Sequence, residues 1–184
     1  MSTTIQSKAG ISTWKIDPVH SSAQFKVKRM MISHVKGEFT SVSGQLELDE
    51  NDVTKSEVRV SIDATTINTR DPQRDTHLRS ADFLEIHNFP VLTFKSTSIA
   101  RHGNGDLSVS GDLTIRGISR LVVLEVEAPS VPIKDPWGNM RIGVSATTQI
   151  NRKDFGLTWN AALETGGILV GEHVSITLDV QFVK

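Results

Sequence analysis

Eight stretches of this 184-residue chain alternate apolar and polar residues with a period of two, and that period dictates the backbone they can adopt. Successive side chains of an extended strand point to opposite faces, whereas a helix would scatter the same apolar positions around its circumference. Residues 21–28 place Ala23, Phe25 and Val27 on one face and Gln24, Lys26 and Lys28 on the other. Residues 38–48 follow, with the apolar phase poorly kept at Ser43-Gly44, which predicts an irregularity there. Residues 57–65 face Val58, Val60, Ile62 and Ala64 to one side, and residues 91–99 start just after Pro90, where a strand readily begins. Residues 107–115 and 120–127 form a hairpin through the turn Arg116-Gly117-Ile118-Ser119. Residues 139–150 and 173–182 complete the set, after a Pro-rich loop at 128–138.

Composition agrees with the pattern. Val 18, Ile 15 and Thr 17 make 50 β-branched residues, against 22 for Ala 9 plus Leu 13. β-branched side chains are stiff at χ1 and pack well on a pleated surface, so the chain is all-β. One segment departs from it. In residues 75–86, Leu78, Ala81 and Leu84 recur at helical spacing, with Asp75 or Thr76 as cap and Asn88-Phe89-Pro90 as stop, which predicts one short helix. Residues 1–13 are polar and Ser/Thr-rich, a loose lead-in to a single domain over 14–184.

An antiparallel sheet with one apolar face covers an interior, and its edges must pair, be covered or close. Eight strands suit an up-and-down barrel that can hold one small ligand, although a two-sheet sandwich has the same periodicity. The interior is equally open to two readings, a cavity or a fully packed core.

Several classes of chemistry are excluded or unsupported. The absence of cysteine removes disulfides, thiolate metal sites and a cysteine nucleophile. A net charge of −1 does not suit a general nucleic-acid binder, and no stretch approaches the length of a membrane-spanning helix. The six histidines form no compact metal-ligand motif, and Gly103-Asn104-Gly105 is a hairpin turn rather than a dinucleotide fingerprint. No nucleophile elbow is present, and His20-Ser21 on an extended strand point to opposite faces. Arg70-Asp71 and Arg74-Asp75 bracket the helix start, where a cap with local ion pairs is the simpler reading. Charge is uneven, however. Residues 1–36 carry six basic groups and one acid, and residues 37–184 carry 14 basic and 20 acidic groups. Residues 26–36 mix basic groups with Met30, Met31 and Ile32, a candidate lip for an opening.

Certain stretches resemble a known family. Trp14-Lys-Ile-Asp-Pro-Val-His-Ser21 with Phe25 and Val27, then Gly37-Glu-Phe39, is similar to the opening of the YceI-like, polyisoprenoid-binding proteins of bacteria. The resemblance continues through Arg74-Asp-Thr-His-Leu-Arg-Ser-Ala-Asp-Phe-Leu84, Phe89-Pro90 with Phe94-Lys-Ser96, Gly111-Asp-Leu-Thr-Ile-Arg-Gly117 and Ile150-Asn-Arg-Lys-Asp-Phe-Gly156. It implies an eight-stranded antiparallel lipocalin-like barrel with a helix beside its mouth. The implied ligand is an elongated amphiphile: a polyisoprenoid, an isoprenoid quinone, or a fatty acid or amide. The implied role is binding, carriage or sequestration, with no catalytic set to transfer, no metal and no cofactor other than the bound lipid. A homodimer is plausible on the same resemblance. Many relatives start with a secretion signal; the first ten residues here contain no apolar core of that kind, so a cytoplasmic protein is expected.

The expected site is the inward phase of the strands: Phe25, Val27, Phe39, Val60, Ile62, Phe94, Val109, Leu113, Val144, Ile176 and Leu178. Leu78, Phe83 and Leu84 join it from the helix, with His34, Arg74 and Arg79 as head-group partners. Two other readings are an enzyme acting on a lipophilic substrate and a stress-related interaction module with a packed core.

Overall fold

The computed structural model describes residues 10–184, which form one antiparallel sheet closed on itself. Three of its walls are bent, each built from two strands. The first comprises β1 (Ile11–Ile16) and β2 (Ser22–Arg29), joined through a 3₁₀ turn at Pro18–His20 that Asp17 caps. The second comprises β3 (Ser33–Phe39) and β4 (Val42–Asp49), and the third β5 (Glu57–Asp63) and β6 (Ile67–Asn68). Helix α1 (Pro72–Arg79) follows, then β7 (Val91–Arg101), β8 (Leu107–Ile115), β9 (Ile118–Val126), the short β10 (Ile133–Lys134), β11 (Met140–Asn151) and β12 (Val170–Val183).

With each bent pair counted once and β10 set aside as a flap on β11, eight walls follow one another in chain order. β12 closes the ring. It pairs with β11 from His173 to Val183 on one side, and on the other with β2 and then β1. An up-and-down barrel of this kind leaves no free sheet edge around most of its circumference. Among the described residues no helix is long and apolar enough to cross a membrane.

The structure corrects several local expectations. Ile11–Thr13 are not a loose lead-in: they pair with Asp49, Leu48 and Glu47 as the start of β1, and residues 1–9 of that segment lie outside the described residues. The break in the second wall falls at Thr40-Ser41, where both amides donate to Thr66 Oγ1, while Gly44 stays in register opposite Val60. The third wall leaves the strand at Asp63, whose side chain caps a 3₁₀ turn at Ala64–Thr66. The β8–β9 turn is two residues long, Arg116 and Gly117, with φ of 50° and 73°. Both central residues of such a turn need positive φ, which matches the right-handed twist of the flanking strands.

The helix is also displaced, spanning Pro72–Arg79 rather than 75–86. Asp71 is the cap, accepting from the amides of Gln73 and Arg74, and Pro72 occupies the first turn, where its missing N–H costs nothing. Asp75 is buried and turned back to Thr69, accepting from its amide at 2.9 Å and its hydroxyl at 2.6 Å. The chain leaves the helix at Ser80 and returns through turns, with Leu84 donating to the carbonyl of Leu78 and Glu85 at φ 49°.

The interior divides along the barrel axis. At one end Trp14, Ile16, Val42, Leu107, Val126, Ile142 and Phe182 are buried against one another, and Val42 is fully enclosed. Arg141 fastens this end by bonding Asp17 at 2.7 Å and Asp135 at 2.8 Å. The other end is hollow.

Candidate ligand cavity

A cavity of about 480 Å³ occupies the second half of the barrel, within the range of about 300–1,000 Å³ usual for small-molecule sites. Its floor and sides follow from the alternation along the strands. β2 contributes Phe25 and Val27, β3 Phe39, β5 Val60 and Ile62, β7 Phe94, β8 Leu113, and β12 Ile176 and Leu178. Leu78 of α1 and Phe83 and Leu84 of the turns after it cover one side. These side chains were all expected on the inward face, and the fold brings them together around one space.

Two expected lumen residues lie elsewhere. Val109 is buried and pairs with Ile99 and Leu124 toward the packed end; Val144 is half-buried opposite Val180 in the same region. Both have the correct inward phase, but phase does not report depth along the barrel axis. The expected head-group partners also separate. His34 is exposed on β3 opposite Lys28 and is not on the cavity wall. Arg79 donates to the carbonyls of Thr65 at 3.1 Å and Ile67 at 3.0 Å, which pins α1 to the third wall. Arg74 does reach the wall, while its Nε and Nη2 donate to the hydroxyl and carbonyl of Thr69.

The most polar part of the wall was not foreseen. Arg152 is 3% exposed and stands in a 3₁₀ turn, Arg152–Phe155, immediately after β11. Its guanidinium donates to the carbonyls of Leu157 (2.6 Å), Gly171 (2.7 Å), Trp159 (2.9 Å) and Val170 (3.2 Å). These bonds close the long connection between β11 and β12. They occupy four of its five N–H donors without neutralising the charge, since among the described residues no carboxylate lies within ion-pair reach of Arg152. Glu172, nearby, is engaged by Lys153 at 2.7 Å. Burial therefore holds the Arg152 guanidinium below its ordinary value, with Glu172 opposing that shift.

Beside it, His77 of α1 lies edge-on to Trp159 (4.6 Å between centroids) and to Phe83 (5.1 Å), and its Nε2 is 2.9 Å from Asp82 Oδ2. Tilted and T-shaped contacts of this kind lock aromatic rings in place. The cluster ties the helix to the 157–169 connection and forms one flank of the cavity opening. Arg152 lay just past the alternating run 139–150, in a stretch singled out only for its family resemblance and with no role assigned, and Trp159 in a stretch with no periodicity. The visible signs were a basic residue two positions past an alternating run and its place in that stretch. Among the described residues no three metal-ligating side chains cluster.

The chain is similar to proteins of known sequence and structure. A profile of the YceI-like domain matches residues 14–182. A UPF0312 protein of Vibrio cholerae is 38% identical over 138 residues, covering 75% of this chain and 72% of its own. A UPF0312 protein of Staphylococcus aureus is 35% identical over 172 residues, covering 94% of this chain and 98% of its own. The crystal structure of the Campylobacter jejuni YceI protein superposes with a TM-score of 0.70 at 28% identity, over 86% of this chain and 90% of that one. A polyisoprenoid-binding domain from Saccharophagus degradans shares the fold at a TM-score of 0.67 and 17% identity, over 92% of this chain and 97% of that one. A barrel of this topology, half packed and half hollow, matched along nearly its whole length, places the chain in the YceI-like domain family.

Proposed function

We infer that this protein binds and carries an elongated amphiphile of the isoprenoid type, without chemical conversion. The observation that carries the reading is the hollow half of the barrel, about 480 Å³ walled by aliphatic and aromatic side chains and bordered by Arg152, Arg74 and His77. An apolar chain entering it leaves water; burial of ~350 Å² at ~25 cal/mol/Å² gains ~9 kcal/mol gross. Association itself costs ~4–15 kcal/mol, so the tail alone does not ensure tight binding and the head group decides affinity. Arg152 supplies that preference: its charge is buried and unneutralised, so a phosphate, carboxylate or carbonyl oxygen at the opening is favoured over an alkyl terminus. The neighbour from Saccharophagus degradans, described as a polyisoprenoid-binding domain, supports the choice of ligand class. The two arginines of the inner wall, Arg74 and Arg152, are occupied in holding backbone carbonyls, which suits a binding protein better than an enzyme.

The test is a titration with octaprenol and farnesyl phosphate, together with native mass spectrometry of freshly purified protein. The expected result is a co-purified lipid and saturable, one-to-one uptake of both probes, farnesyl phosphate binding more tightly per carbon. Lipid-free preparations that take up neither probe would overturn the assignment.

A further inference from the structure

The hairpin between β2 and β3 has three chemically distinct surfaces. Its inner face, Phe25 and Val27 from β2 and Val35 from β3, is cavity wall. Its outer face carries Lys26 directly opposite Lys36 and Lys28 directly opposite His34, all exposed, while Lys28 and the exposed Arg29 at the strand end also border the cavity. Like charges placed across a strand pair repel, so this arrangement works against the hairpin's own stability. Among the described residues none of these four lysine and arginine side chains has an ion-pair partner. Glu38 at the hairpin base is the one carboxylate against those four cations.

The tip is the third surface. Met30, Met31 and Ile32 are 38%, 56% and 82% exposed, an apolar cap on a basic stem. Met30 and Met31 both hold left-handed φ, 52° and 63°, a conformation that large side chains adopt only when the surrounding structure enforces it. The enforcement is visible: the Met30 amide donates to the carbonyl of Leu169, and the Met31 sulfur packs against Gly167 in the connection before β12. Leu169 is itself cavity wall. The tip is therefore a fixed lip of the opening, presented to solvent with its apolar side chains outward.

We propose that this lip docks the barrel, mouth first, on the surface of a bilayer containing anionic phospholipid, so that the cavity opens onto the membrane from which its ligand is drawn. Charge complementarity favours that occupant. The hairpin's cations meet anionic head groups while Met30, Met31 and Ile32 enter the apolar boundary, the combination used by interfacial membrane binders. The rest of the chain orients the encounter, because residues 37–184 carry 14 basic and 20 acidic groups and are repelled by the same surface. Continuity with the cavity supplies the reason for the docking, and in this respect the proposal rests on the lipid-carrier reading above.

The experiment is vesicle flotation with the full chain, using phosphatidylcholine vesicles and vesicles of phosphatidylcholine mixed with an equal part of phosphatidylglycerol. Wild type is expected to float with the mixed vesicles, with at least tenfold preference over phosphatidylcholine alone, and to be released at molar salt. Ile32→Asp and the double variant Lys26→Glu/Lys36→Glu, at residues off the cavity wall, should each lose this binding, by about fivefold or more per charge altered. Uptake of farnesyl phosphate measured without vesicles should remain near wild type in both variants, which shows that they fold and keep the cavity. A wild type that takes up the probe but ignores mixed vesicles would overturn the docking and leave the carrier function standing. Vesicle binding unchanged in both variants would overturn it as well, by placing the contact elsewhere. Failure to take up the probe at all would overturn the carrier reading instead.

Discussion

Phe25 shows how a single residue makes space in the barrel. Its ring lies across Gly37, its cross-strand partner, and rests 5.7 Å from the ring of Phe39. A methyl group on Gly37 would sit 2.3 Å from Phe25 Cζ and 2.9 Å from Thr69 Cγ2, so the ring would have to swing into the cavity. Gly37→Ala is therefore expected to leave the fold intact while displacing about two methylenes' worth of ligand contact. That loss weakens farnesyl phosphate binding about tenfold, as calorimetric titration would show. The alternation already set Phe25 on the inward face. That its ring lies over a glycine was not visible, because the pairing of residues 25 and 37 depends on a strand, β3, with few apolar inward positions and a basic outer face.

At the level of elements, helix α1 is the part most dependent on its ends. It has only two turns, too few to persist alone in water, and left-handed residues stand on both sides of it, Arg70 at φ 66° and Glu85 at φ 49°. What holds it is the Asp71 cap, the Asp75–Thr69 bonds, and Arg79 reaching back to the third wall. Asp71→Ala removes an acceptor from two amides and should cost about 1 kcal/mol. In a domain of this size that lowers the melting temperature by about 2–4 °C. Amide exchange should quicken over residues 72–79 before the strands respond. The sequence showed a helix near this position through Leu78 and Leu84, but those residues meet at the cavity because the chain turns sharply after Ser80. Helical spacing continued past the true end, since the same apolar contacts are made by turns.

On the scale of the whole molecule, Arg141 links parts of the chain far apart in sequence. It bonds Asp17 after β1, Asp135 after β10 and the side chain of Gln181 on β12. The guanidinium, aided at Asp17 by His20, holds both carboxyls down from an ordinary 3.8 to about 2. A carboxyl whose pKa is lower in the folded state stabilises the fold above its unfolded value and loses that contribution as the pH falls through the folded one. The contribution is thus complete above about pH 4 and lost toward pH 2. Arg141→Met should destabilise the barrel at neutral pH, as expected for lost charged hydrogen bonds. It should also flatten the fall in stability between pH 4 and 2, measured by urea unfolding at each pH. Unchanged acid sensitivity in the variant would show that other groups control it.

The alternating runs and their inward face were determined by the sequence alone, because a period of two is a local property of the backbone. So was the presence of one short helix. β1 and most of β3, which lack a clean run, were not. Three matters were decided only by the tertiary structure. Closure depends on β12 pairing with β11 on one side and, on the other, with β1 and β2, whose residues lie more than a hundred positions away in the chain. Depth along the barrel axis separates Val109 and Val144, in the packed end, from Phe25 and Ile176 beside the cavity, although all four share the inward phase. The placement of Arg152 at the cavity depends on four carbonyls from the connection into β12, which has no repeating pattern to announce it. Alternation states which way a side chain points; only the register of non-adjacent strands states what it meets there.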